Sequence, residues 1–97
     1  MKAIDKSEDN IAEYYFVKAI IYCQNGSFEE GLADFSNALV VDPDGMDFLK
    51  ERSKCLYMLG RYEEATVDIK KCISSNSNDY ESKLLLCFYL YGLENDE

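Results

Sequence analysis

The sequence contains no histidine, which removes at once the commonest general base and the commonest metal ligand. Its four cysteines, Cys23, Cys55, Cys72 and Cys87, stand 32, 17 and 15 positions apart, so the close pairs used by structural zinc sites are missing as well. No metal and no cofactor is expected, and the thiols read as reduced, small apolar residues of a core or groove. Basic residues are scarce, 10 Lys and Arg against 19 Asp and Glu for a formal charge of -9. Such a field repels phosphate backbones and anionic lipid, which argues against nucleic acid as a partner. No apolar run approaches the roughly 18 residues of a membrane span. Met1-Lys2-Ala3-Ile4-Asp5 has no apolar signal core, and a soluble, cytoplasmic protein is expected. No glycine loop suited to phosphate and no spacing of a nucleophile with a base appears, so an enzyme is not expected.

What is present is a repeat. Sliding the sequence by 34 residues lays Gly26-Ser27-Phe28-Glu29-Glu30-Gly31 on Gly60-Arg61-Tyr62-Glu63-Glu64-Ala65, then Asp34 on Asp68, Phe35 on Ile69, Ala38 on Cys72 and Leu39 on Ile73. The same shift aligns Asn10, Asp44 and Asn78, each followed three residues later by an acid, Glu13, Asp47 and Glu81. A short polar residue and an acid at that spacing make a helix start, so these three positions are expected to cap three equivalent helices.

Within each unit the apolar spacing is helical, as in Tyr15, Ala19, Tyr22 and Leu49, Ser53, Leu56. Gly26 and Gly60 suit the left-handed residue that ends one helix before the next. Pro43 closes the first unit, and the polar cluster Ser74-Ser75-Asn76-Ser77-Asn78-Asp79 breaks the second. Five helices follow, near 10–25, 28–41, 45–59, 62–74 and 79–92. They form a single domain, with one repeat at about 12–45, a second at about 46–79 and a C-terminal helix at about 79–92.

These residues resemble the tetratricopeptide repeat family. The resemblance covers roughly residues 10–92 and rests on the period, on Tyr15 and Tyr22, on the small Ala19, Gly31, Ala38 and Ala65, on Phe28 and Tyr62 after the turn glycines, and on Asp42-Pro43. It implies an all-α protein, a right-handed α-α superhelix of two helix pairs plus a C-terminal helix. It also implies a scaffold or adaptor module that takes a peptide or a partner's helix in a concave groove. In one subclass lysine, asparagine and arginine grip a terminal carboxylate; the matching positions here hold Phe16, Ile20, Glu51, Glu81 and Leu85, and that clamp is absent.

The resemblance places Phe16, Ile20 and Cys23, then Lys50, Lys54 and Tyr57, then Leu84, Phe88 and Tyr91 along the groove. Two lysines in an apolar trough suit a protein or peptide with acidic and apolar residues; alternatively they are a solvated i,i+4 face. The last helix, Leu84-Leu85-Leu86-Cys87-Phe88-Tyr89-Leu90-Tyr91, is apolar all round and expects burial all round. Leu85, Tyr89 and Leu93 are therefore candidates for self-association as a homodimer. The other readings are a longer array, whose turn into a sixth helix would fall at Glu94-Asn95-Asp96-Glu97, and a terminal cap that tolerates exposed tyrosine.

Overall fold

The computed structural model describes residues 2–95, with side chains from Asn10 onward. Five helices follow one another: α1 (Lys2–Gln24), α2 (Phe28–Val41), α3 (Met46–Met58), α4 (Tyr62–Ser75) and α5 (Tyr80–Asn95). No strand is present among the described residues. α1 packs on α2 and α3 on α4 as antiparallel pairs, α2 joins the pairs by packing on α3, and α5 lies on α4.

Both turns within the pairs are built the same way. Gly26 and Gly60 have φ of 85° and 79°, the left-handed region that costs glycine nothing. Around the first, Ser27 N–H donates to Tyr22 C=O at 2.8 Å and Gly26 N–H to Cys23 C=O at 3.1 Å; around the second, Arg61 donates to Leu56 at 2.8 Å and Gly60 to Tyr57 at 3.0 Å. These are two Schellman closures 34 residues apart, each satisfying carbonyls that the helix end leaves free. The connections between pairs also repeat, although their sequences do not. Gly45 N–H donates to Asp42 C=O and Asp79 N–H to Asn76 C=O, both at 3.1 Å.

The helix starts differ from the sequence expectation. Asn10 lies inside α1, which begins at Lys2, because no glycine or proline precedes Gly26 to stop the helix. α3 starts after Gly45 without a side-chain cap, so Asp44 does not serve as one. The third cap sits one residue beyond Asn78: Asp79 Oδ1 accepts from Ser82 N–H at 3.3 Å and Oδ2 from Ser82 Oγ at 2.7 Å. α5 runs past the expected end to Asn95, and Asp96 and Glu97 lie outside the described residues.

Two apolar clusters hold the stack. Ala19, Phe35 and Cys55 form one, with Phe16, Ile20, Cys23 and Phe28 against it. Leu49, Leu56, Ala65, Ile69, Cys72 and Tyr89 form the other. Leu32 belongs to the edge of both, so the core is continuous along the stack. The absent side chain of Gly31 makes room for a neighbour, since a Cβ there would stand 2.7 Å from Cys23 Sγ.

Candidate functional site

The first helices of the pairs, α1 and α3, are separated by a cleft of about 260 Å³ lined mainly by Ile20, Cys23, Phe35, Cys55 and Met58, with Glu51 and Lys54 at its rim. The amphipathic spacing of the two helices puts Ile20 and Cys23 of α1 and Cys55 and Met58 of α3 on the side that faces the cleft. Ala19 and Phe35, both fully buried, fix the floor by letting α1 settle on α2. Of the residues expected to line the groove, Ile20, Cys23 and Lys54 meet here. Phe16 lies farther along α1, half-buried, with its ring 4.8 Å from that of Phe48 and 5.9 Å from that of Phe35. Phe48 was not among the expected residues; its place one helical turn before Arg52 carries no signal distinguishing it from a solvated aromatic.

The two lysines do not stand free. Lys50 Nζ lies 2.8 Å from Asp79 and 3.3 Å from Glu81, while Lys54 Nζ lies 3.2 Å from Glu51 and 3.4 Å from Glu81. Three carboxylates thus surround two ammonium groups. The Lys50 ammonium, followed by Ser82, holds the Asp79 carboxyl down at about 2, and Lys50 likewise pulls Glu81 below the usual range. The expectation of a cationic trough for acidic groups is corrected by this arrangement. The cause is the start of α5, where the cap Asp79 and the first-turn Glu81 meet α3, a proximity that local spacing does not encode.

Tyr57 bridges three helices, its ring 5.3 Å from both Tyr62 and Tyr89. Leu84, Phe88 and Tyr91 are exposed on α5. The self-association candidates require correction. Tyr89 is 1% exposed, its hydroxyl 2.8 Å from Ser53 Oγ, and Leu85 packs against the same core; Leu93 is half-buried beside Gly60, Arg61 and Tyr62. Those three line the covered side of α5. The outward side instead carries Tyr80, Leu84, Cys87, Leu90 and Tyr91. Advancing by 34 residues from Leu49, Ser53 and Leu56, which are buried in the second pair, leads to Lys83, Cys87 and Leu90, which no helix among the described residues covers.

The thiols of the cleft are both pushed up by burial, Cys55 to about 12, so they are protonated at neutral pH. Among the described residues no group of three His, Cys, Asp or Glu is placed to hold a metal ion, and no helix is long and apolar enough to cross a membrane.

No family model matches the sequence. BBSome complex member BBS4 of Mus musculus is 29% identical over 85 residues, covering 82% of this chain and 16% of that protein. A DnaJ homolog subfamily C member 7 homolog of Schizosaccharomyces pombe is 30% identical over 73 residues, covering 75% of this chain and 15% of its own length. The chain therefore spans about a sixth of these two relatives, both of them tetratricopeptide-repeat proteins. An uncharacterized protein of Methanocaldococcus jannaschii is 37% identical over 60 residues, which cover 60% of this chain and 70% of that protein. Since the 34-residue period is realised as stacked helix pairs with duplicated turns, and since relatives of that kind align with most of it, the chain belongs to the tetratricopeptide repeat family.

Proposed function

We propose that this protein is an interaction module that takes a helix or an extended segment of another protein in the cleft of α1 and α3 and along the exposed face of α5. The observation that carries this reading is the cleft itself, apolar at its floor and rimmed by Glu51 and Lys54. An apolar floor supplies affinity through burial, and the rim supplies orientation. The carboxylates of Glu51, Asp79 and Glu81 outnumber Lys50 and Lys54 in the same neighbourhood, and the whole chain carries -9. The favoured occupant therefore presents apolar side chains together with Lys or Arg. Substituting Ile20 and Phe88 together by alanine tests the reading: affinity for a captured partner should fall more than tenfold with unchanged helical circular dichroism. Undiminished affinity in that variant would remove the groove from consideration.

A second reading is favoured by the outward side of α5, where Tyr80, Leu84, Leu90 and Tyr91 are each about half exposed or more. A face of that apolarity suits pairing with a second copy or with a helix of a larger assembly. Sedimentation velocity over a range of concentrations separates the two readings, because groove binding leaves the free protein monomeric.

A further inference from the structure

The floor of the cleft holds two thiols from different helices. Cys23 of α1 packs against the cluster that contains Cys55 of α3, and both side chains line the same cleft. Cys55 Sγ donates its proton to Phe28 C=O at 3.1 Å, which anchors this sulfur at the start of α2, on the helix that also carries Gly31 beside Cys23 Sγ. Cys23 is part-exposed and Cys55 buried, so one thiol meets solvent while the other waits behind it. Gly31 keeps this arrangement open, since a side chain there would collide with Cys23 Sγ.

We propose that Cys23 and Cys55 form an intramolecular disulfide when the protein meets a low-molecular-weight disulfide, tying α1 to α3 across the cleft floor. The Cys23 thiolate attacks one sulfur of the reagent, a Cys23 mixed disulfide forms and one small thiolate leaves. The Cys55 thiolate then attacks the Cys23 sulfur and expels the second small thiolate. Two protein thiols are oxidised, the reagent is reduced to two thiols, and the protons lost by the protein are taken up by the leaving groups. Placement rather than nucleophilicity drives the closure: both thiols are pushed up by burial, so the reaction is slow at neutral pH and quickens as pH rises.

The consequence is mechanical. α1 and α3 touch each other only along a short stretch and are otherwise coupled through α2. A covalent link between residues 32 positions apart encloses all of α2 in a loop and fixes the width of the cleft. By restricting the unfolded chain it also raises thermal stability.

Oxidised glutathione is the probe. The full chain is incubated with it at mildly alkaline pH, quenched by acid, and examined by intact mass and by unreduced peptide mapping. Linked peptides carrying Cys23 and Cys55, a mass lower by two hydrogens apart from any glutathione on Cys87, and a melting midpoint at least about 5 °C higher are expected. Exposed Cys87 serves as an internal control, since its glutathione adduct shows that the reagent acted. Cys55→Ala should arrest Cys23 as the mixed disulfide. Cys23 that stays glutathionylated in the unsubstituted protein, or that links to Cys72 or Cys87 instead, overturns the proposal. None of these measurements involves a groove occupant, so the outcome is independent of whether the cleft binds another protein.

Discussion

Arg52 holds Asp68 by two parallel bonds, Nε to Oδ2 at 2.7 Å and Nη2 to Oδ1 at 2.9 Å, and its third nitrogen donates to Ser36 Oγ at 3.2 Å. One repeat earlier Lys18 stands 3.6 Å from Asp34. Both pairs join the first helix of a unit to the second, 16 positions later. The later pair is much better enclosed, because the Asp68 side chain is 4% exposed and that of Arg52 24%, against 9% and 38% for Asp34 and Lys18.

The difference predicts unequal costs. Arg52→Ala strands a buried carboxylate and should destabilise by about 2–3 kcal/mol, below the range for fully buried pairs because Arg52 retains some solvent. Lys18→Ala should cost less than about 1 kcal/mol, as for exposed pairs. Urea unfolding of the two variants checks the order, and equal costs would show that enclosure is not the deciding factor.

The repeat explains what was legible in advance. Gly26 and Gly60 mark turns through their own backbone freedom, and the 3.6-residue spacing of Leu49, Ser53 and Leu56 marks a buried face; both are local signals. The Lys18–Asp34 and Arg52–Asp68 pairs needed two antiparallel helices to become neighbours, and only the alignment of Asp34 with Asp68 hinted at them. The engagement of Lys50 by Asp79 lies 29 positions apart and depends on where α5 docks. The burial of Tyr89 is not legible in α5 itself, because the Leu84–Tyr91 segment is apolar on every side and hydrophobicity alone gives no direction for its covered face. Its aligned partner Cys55, buried one repeat earlier, was the available clue.

The Ser53–Tyr89 bond yields a second prediction. Ser53 Oγ donates to Lys50 C=O at 2.6 Å, which leaves it to accept from the Tyr89 hydroxyl. Tyr89→Phe leaves Ser53 satisfied by that carbonyl and should cost about 1 kcal/mol, whereas Ser53→Ala strands a buried phenol and should cost about 1–3 kcal/mol. Burial pushes Tyr89 up to about 12. Between the ordinary tyrosine value of 10.0 and that figure the folded protein keeps a proton the unfolded chain releases, so stability falls as pH rises through this window. Spectrophotometric titration of the folded protein should find one tyrosine that ionises later in the wild type than any does in Tyr89→Phe.

Asp79 titrates in the opposite sense. Its carboxyl is held at about 2 chiefly by Lys50, against an ordinary 3.8. A lowered folded value means that the ionised form stabilises the fold above the unfolded value and that this contribution fades as pH falls toward the folded one. Asp79→Asn keeps a capping oxygen for Ser82 while removing the charge. The variant should melt below wild type at pH 6, and the gap should narrow between pH 4 and pH 2; a gap constant with pH would assign the effect to capping instead.

The two sides of α5 give the last prediction, since they separate stability from association. Tyr89 fills the core between α3 and α5, and Tyr89→Ala should cost about 3–5 kcal/mol, chiefly through the cavity it leaves. Leu84, 58% exposed on the outward side, has little burial to lose, so Leu84→Asp should change stability by less than about 1 kcal/mol. If copies of the chain pair through that side, Leu84→Asp places a charge in an apolar contact and abolishes the concentration dependence of the sedimentation coefficient. Tyr89→Phe, which leaves the outward side intact, should keep it. Loss of association in Tyr89→Phe with retention in Leu84→Asp would place any self-contact elsewhere than the outward side of α5.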